Sequence, residues 1–180
     1  MISSKEEYYY YLKEDMKSHN IKKWKFKYKY TIPNLYFQRL LRKCEYYKNC
    51  RKDFFGRIAF LFLQFRFLKV SVKLGLTIPL NVFGPGLSIA HYGSIVVNGK
   101  SSVGKNCRIH SATNIGEGKN GCPRIGNNVY ISPGAKIFGG IIIGDNVKIG
   151  ANAVVNADVP DDVSVGGIPA KVISRRKKIM

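Results

Sequence analysis

Aliphatic residues recur every six positions through the C-terminal half of this chain. One series runs Val97, Val103, Ile109, Ile115, and a second runs Ile125, Ile131, Ile137, Ile143, Ile149, Val155. Glycines accompany them at Gly104, Gly116, Gly126, Gly144 and Gly150. A period of six fits neither the 3.6 of a helix nor the 2 of a strand in a meander. It fits a parallel β-helix solenoid, in which each hexapeptide supplies one short strand and a corner. Three hexapeptides close a triangular coil of about 18 residues, with the aliphatic side chain pointing inward onto its equivalents above and below. Small residues such as Gly134, Ala135, Gly150, Ala151 and Ala153 suit the tight corners. One coil cannot bury its interior alone, so stability comes from stacking. The step from Ile115 to Ile125 is ten residues, one repeat plus four, which makes residues 116–121 an inserted loop. Gly118 and Gly121 give that loop the freedom to close over a bound molecule.

The residues before the repeats have a different character. Residues 1–76 hold 18 Lys/Arg and 6 Asp/Glu, a net of +12, out of +19 for all 180 residues. Ser4-Lys5-Glu6-Glu7 fits a capping box, so a helix is expected to start there and to continue from Tyr8 to Lys17. Trp24, Phe26, Tyr28 and Tyr30 alternate with Lys23, Lys25, Lys27 and Lys29, which predicts an extended segment with one aromatic and one basic face. Pro33-Asn34 is expected to break the chain. Leu35–Tyr47 and Arg57–Lys73 then read as amphipathic helices with Gly56 between them. The organisation expected is a basic, mostly helical region over 1–74, a solenoid over 75–174, and a basic tail over 175–180 containing Arg175, Arg176, Lys177 and Lys178.

Composition excludes several classes. A chain that is 45% hydrophobic and 23% charged is globular rather than disordered. No stretch reaches the ~18 apolar residues of a membrane span. Ile58–Val70 is interrupted by Gln64, Arg66 and Lys69. Met1–Glu7 does not read as a signal peptide. Cys44, Cys50, Cys107 and Cys122 lack C-x-x-C spacing and read as reduced thiols, in keeping with a cytoplasmic protein. The basic, aromatic N-terminal part raises nucleic acid or a membrane surface as a partner. Inward-packed aromatics and solvated lysines account for it more simply and leave nucleic acid disfavoured. Phe54, Phe55, Phe60, Phe62, Phe65 and Phe67 allow peripheral contact with a membrane, at the inner membrane surface, though packing against the solenoid or a second subunit is the plainer expectation. A zinc site of the hexapeptide carbonic anhydrase kind needs three His, and the repeat region has only His91 and His110, so no metal is expected.

The segment Gly84-Pro85-Gly86-Leu87-Ser88-Ile89-Ala90-His91-Tyr92-Gly93-Ser94-Ile95-Val96-Val97-Asn98, with the closing Gly166-Gly167-Ile168-Pro169-Ala170-Lys171-Val172-Ile173, resembles the serine acetyltransferase family of left-handed β-helix hexapeptide acyltransferases. The likeness covers about residues 75 to 174. The basic N-terminal part looks like the shorter, polysaccharide-biosynthesis branch. The resemblance implies a homotrimer, acetyl-CoA bound between adjacent solenoids, and direct transfer of acetyl to a hydroxyl without an acyl-enzyme.

An alcohol needs a base to take its proton as the new carbon–oxygen bond forms, and the imidazole of His is suited to it near neutral pH. Of His19, His91 and His110, His91 stands in the resembling segment and is the expected general base. Cofactor-binding residues implied by the resemblance are Gly116 at the start of the loop, Ser132, Pro133 and Ala151 along the pantetheine arm, and Lys171 for a CoA phosphate. Tyr92, His110 and Cys122 are candidates for the acceptor site. His110 lies 19 residues after His91, about one coil on, where it either lines the same site or caps a corner. Cys122 as a nucleophile is the less favoured reading, since no base is assigned to it and a small buried thiol is the default.

The sequence departs from the family in ways that bear on the acceptor. The family's Asp upstream of its catalytic His meets Leu76-Thr77-Ile78-Pro79 here, and the Asp directly before the His is Ala90. The second family His, before a Pro, is Cys122 before Pro123. Glu117 is the one acidic residue from Gly56 through Val129. The ammonium of serine wants an anion, so a saccharide hydroxyl in surface or capsular polysaccharide synthesis is the expected acceptor, with L-serine second. A backbone carbonyl is left to orient His91. A basic solenoid scaffold binding nucleic acid or a membrane surface is the alternative of another class.

Overall fold

The computed structural model describes residues 1–175. Four helices precede the solenoid: α1 (Lys5–Lys17), α2 (Tyr28–Thr31), α3 (Pro33–Cys50) and α4 (Phe54–Leu74). Fourteen short strands follow: β1 (Leu76–Thr77), β2 (Ser88–Ile89), β3 (Ile95–Val97), β4 (Ser102–Val103), β5 (Arg108–Ile109), β6 (Asn114–Gly116), β7 (Arg124–Ile125), β8 (Tyr130–Ile131), β9 (Lys136–Phe138), β10 (Ile142–Ile143), β11 (Lys148–Ile149), β12 (Val154–Val155), β13 (Val163–Gly166) and β14 (Lys171–Arg175). They stack into three faces, β1-β3-β6-β9-β12, β4-β7-β10 and β2-β5-β8-β11-β13-β14. Every contact is parallel except the closing β13–β14 pair. The expected parallel β-helix with an N-terminal helical region is the fold observed.

All ten periodic aliphatics are buried in the coil interior. Ile109, Ile131 and Ile149 stand in register in one face, and Ile115, Ile137 and Val155 in another. Partners Tyr130 and Lys148 are 18 residues apart, whereas Arg108 and Tyr130 are 22 apart. The four extra residues are those of the loop, which folds as a small hairpin in which Gly118 and Gly121 exchange backbone hydrogen bonds.

One corner carries a ladder that the sequence reading did not identify. Asn106, Asn128, Asn146 and Asp162 occupy successive coils, each with φ between 57° and 60°. The left-handed backbone disfavours side chains with a Cβ but is most tolerant of Asn and Asp. Their side chains join into a chain of bonds, from Asn106 to Asn128 to Asn146 to Asp162, at 2.9–3.0 Å. Asn128→Ala is expected to cost about 1–2 kcal/mol through the left-handed conformation alone. Urea unfolding checks this, and an unchanged midpoint would show that neither the left-handed conformation nor the ladder makes a net demand for Asn there.

The helices depart from expectation in three places. The basic-aromatic segment is not extended: it turns into the short α2, because Lys29 gathers over the rings of Phe26, Tyr30 and Tyr36 at 5.1–5.9 Å. The break expected at Pro33-Asn34 falls at Ile32 instead, between α2 and α3, and Pro33 opens α3, where its missing N–H costs nothing. Gly56 does not separate two helices; it lies in the first turn of α4, donating its N–H to the Asp53 cap. The expected cap at Ser4 is present, with Glu7 N–H donating to Ser4 Oγ. Of the basic tail, Arg175 ends β14, and residues 176–180 lie outside the described residues.

The junction of helices and solenoid is polar. β2 is an edge strand, and the backbone groups it would otherwise leave open are bonded by side chains from α3 and α1. Asn34, Gln38 and Arg42, four residues apart on one face of α3, do most of this. Asn34 Nδ2 donates to Ile89 O, and Gln38 donates to Leu87 O while accepting from Ile89 N–H. Arg42 donates to Phe83 O and Gly84 O. Asp15 of α1 accepts from the N–H groups of Gly86 and Leu87, and it pairs with Arg42 at 2.8 Å. Glu45 completes the cluster, pairing with Arg42 at 3.1 Å and accepting from Asn81 N–H. Arg42, Asp15 and Glu45 are all at or below 2% exposed, so their charges are satisfied by one another and by backbone.

Candidate active site

Successive coils turn from the β2-β5-β8-β11 face to the β3-β6-β9-β12 face at one corner. Three of these turns take the same length: Arg108 to Asn114, Tyr130 to Lys136 and Lys148 to Val154 are six residues each. The corner between β2 and β3 takes eight, from Ser88 to Val96. The two additional residues push Ala90–Ser94 outward, and His91 and Tyr92 stand exposed at its tip. Helices hold both ends of this corner. Asn34 reaches Ile89 O and, at 3.5 Å, Ala90 O, while Gly93 N–H donates to Leu74 O at the end of α4.

The coils behind it supply the expected partners. His110 follows β5, Ser132 and Pro133 follow β8, and Ala151 follows Gly150 after β11, so these stand one above another on the same corner as His91. Backbone bonds run up the column: Ala90 N–H to Ile109 O, His110 N–H to Ile131 O and Ser132 N–H to Ile149 O. The rings of His91 and His110 are 6.1 Å apart, and His110 lies 5.2 Å from the ring of Tyr130. His110 is half-buried, and its Nε2 is enclosed with no hydrogen-bond partner. A buried polar atom without a partner calls for a ligand or water at that spot.

Burial first, then the charge of Arg108 and the nearness of His91, hold His110 below the ordinary histidine value of 6.5. It is therefore neutral near pH 7 and able to accept or donate through Nε2. Since the unfolded chain protonates first, the stability this burial permits is whole above 6.5 and is lost as pH falls towards the native midpoint. His19, lowered chiefly by burial, acts in the same direction. An NMR titration of the His110 ring is expected to show a midpoint below 6.5; a midpoint at or above it would mean the ring is solvated.

Other expected residues lie elsewhere. Gly116 ends β6 and Cys122 follows the loop, so both sit at the next corner, across the β3-β6-β9-β12 face from His91. A cavity of about 330 Å³ there is lined by Lys100, Asn120, Cys122 and Arg124. Glu117 is held at this corner by Lys100 at 3.1 Å and offers no carboxylate to His91. Tyr92 lines a cavity of about 430 Å³ against the helices, together with Lys29, Tyr30, Tyr36 and Lys73. Lys171 begins β14 and is exposed at the far end of the solenoid. No backbone carbonyl orients His91: among the described residues its ring has no hydrogen bond. All four cysteines are unpaired thiols, and burial pushes those of Cys44 and Cys107 up to about 12, which makes them inert.

Asn34 and Gln38 are the positioning residues that sequence reasoning passed over. The lengthened corner had a signal in the repeat: Ile89 to Val97 is eight residues where the period predicts six.

Residues 122–157 match the bacterial transferase hexapeptide family, described as six repeats. A serine acetyltransferase of Synechococcus elongatus is 42% identical over 97 residues, covering 51% of this chain and 39% of that protein. The serine acetyltransferase of Neisseria gonorrhoeae superposes with a TM-score of 0.68 at 30% identity, over 95% of this chain and 66% of that one. The chain is similar to serine acetyltransferases. A further serine acetyltransferase, solved in complex with CoA, shares the fold at 23% identity with a TM-score of 0.69 and covers 94% of this chain and 71% of its own. These relatives carry the serine acetyltransferase name and not that of a polysaccharide branch, and the superposition takes in the N-terminal helices. The chain spans about half the length of the curated relatives it matches, from 39% to 56% for the first three.

Proposed function

We propose that this chain is an acetyl-CoA-dependent O-acetyltransferase, with L-serine the acceptor that its relatives favour. The observation that carries the reading is His91, exposed at the tip of a lengthened corner and followed up the solenoid by His110, Ser132 and Ala151. His91 takes the proton of the acceptor hydroxyl as its oxygen attacks the thioester carbonyl. The carbon–sulfur bond then breaks, and the proton passes from His91 to the departing CoA thiolate, so His91 ends as it began. Backbone N–H groups at the corners would stabilise the carbonyl oxygen while it carries negative charge. Neutral His110, with its unpartnered Nε2, would hold the acceptor.

Acetyl-CoA would lie along the column, its pantetheine arm beside Ser132, Pro133 and Ala151 and its phosphates towards Lys171. A homotrimer would set the corner bearing Gly116 and Cys122 against the His91 corner of a neighbouring solenoid. That arrangement explains how residues one face apart in a single chain could serve one site.

A second reading keeps the donor and changes the acceptor to a neutral saccharide hydroxyl. It is favoured by one observation: Glu117, the one acidic residue from Gly56 through Val129, is paired with Lys100 at another corner and is not placed to receive the ammonium of serine. Thiol release from acetyl-CoA with L-serine and with a panel of sugars separates the two. Release with serine, and O-acetylserine by mass spectrometry, is the expected result. Release with sugars alone would replace the acceptor, and release with neither would remove the enzyme reading and leave the scaffold.

A further inference from the structure

Helix α4 is apolar on both sides. Leu63, Phe67 and Leu74 face inward, and the ring of Phe67 stacks on Phe37 at 5.0 Å. The opposite side is also apolar: Phe54, Phe55, Leu61, Phe62, Phe65, Leu68 and Val72 are 52–83% exposed. Spacings of three and four carry this second stripe the length of the helix. A helix with two apolar sides and one core needs a second apolar medium, because exposed patches of this kind mark binding surfaces. Among the described residues, no helix is long and apolar enough to cross a membrane.

Charge distinguishes the occupants. On a helical wheel, Arg57 stands at one margin of the outer stripe, Arg66 and Lys73 at the other, and Lys69 within it, and all four are exposed. Lys69 Nζ lies 4.5 Å from the centre of the Phe65 ring. The helix itself has no carboxylate, and Asp53 before it is engaged by Arg51 at 2.8 Å. Packing this face on the same face of a second copy would set four cations against four more with no anion between them. The short α2 continues the pattern, with Phe26 and Tyr30 exposed beside Lys25, Lys27 and Lys29. A medium that is apolar below and anionic at its surface satisfies both features.

We propose that the outer face of α4 seats the protein on an anionic lipid surface, its aromatic stripe entering the headgroup boundary and its flanking cations meeting lipid phosphates. Because α4 ends at the corner that carries His91, the seated protein would work close to that surface. This proposal does not depend on the acceptor.

Flotation of the full chain with vesicles tests it. Vesicles of phosphatidylcholine with a third phosphatidylglycerol should carry the protein up, and phosphatidylcholine alone should carry much less. The double variant Phe62→Gln/Phe65→Gln alters two exposed side chains and should leave melting unchanged while weakening vesicle binding at least about tenfold. Lys69→Gln/Lys73→Gln should weaken it by a similar factor and flatten its salt dependence. Absence of anionic-vesicle binding would overturn the proposal. So would binding that survives the aromatic variant, which would mark a purely electrostatic surface equally open to nucleic acid. A variant that binds vesicles normally but sediments as a smaller assembly would assign the face to a second copy instead.

Discussion

Replacing Arg42 with methionine should lower unfolding stability by about 3–5 kcal/mol, the range for breaking a buried ion pair by removing one partner. The guanidinium is wholly buried and makes five bonds, to Asp15, Glu45, Phe83 O and Gly84 O. Methionine fills the space but leaves two carboxylates and two carbonyls without their donor. Against a typical domain stability of roughly 5–15 kcal/mol, this is a large fraction. Arg42→Lys keeps the charge but cannot form the fork, so its loss should fall short of that of methionine. Urea unfolding of the variants reads both. A methionine variant as stable as the parent would mean that the cluster breaks even and that the helices are held by apolar contact alone.

The solenoid was legible because its interior admits one residue type at one spacing. Val97 to Val155 point inward with a regularity that needs no tertiary information, and even the four-residue insertion sits where the period slips. The N-terminal helices were less legible because α3 buries polar residues as well as apolar ones. Polar residues such as Gln38, Arg42 and Glu45 ordinarily face water on an amphipathic helix; here they are at most 1% exposed, because an open strand edge offers hydrogen bonds that water would otherwise supply. The basic-aromatic segment misled for a related reason. Alternation of Lys with aromatics predicts a strand, but Lys29 can serve three rings at once only if the backbone turns.

At the site, His91 was legible from its neighbours in sequence, and His110 from the coil length. What could not be read was their surroundings. The partnerless Nε2 of His110 depends on how closely Tyr130 and Arg108 crowd it. The support of the His91 corner by Asn34 bridges 55 residues of sequence. The assignment of Gly116 and Cys122 to a different corner follows from counting strands around the triangle.

The role of His91 carries the second large expectation. His91→Ala should reduce turnover by about 10²- to 10⁴-fold, the usual worth of a general base. The side chain is exposed and makes no hydrogen bond among the described residues, so folding, assembly and acetyl-CoA affinity should be unchanged. Asn34→Ala acts differently. It loosens the backbone before His91, and it should lower kcat less severely while also costing stability.

The most direct measurement follows CoA thiol release by the purified full chain with acetyl-CoA and L-serine, alongside the His91→Ala variant. Release that requires the acceptor, yields an O-acetylated product and falls at least about a hundredfold in the variant is the result expected. Acceptor-dependent release at full rate without His91 would contradict the account, since the lengthened corner would then be an ornament of the solenoid rather than its active centre.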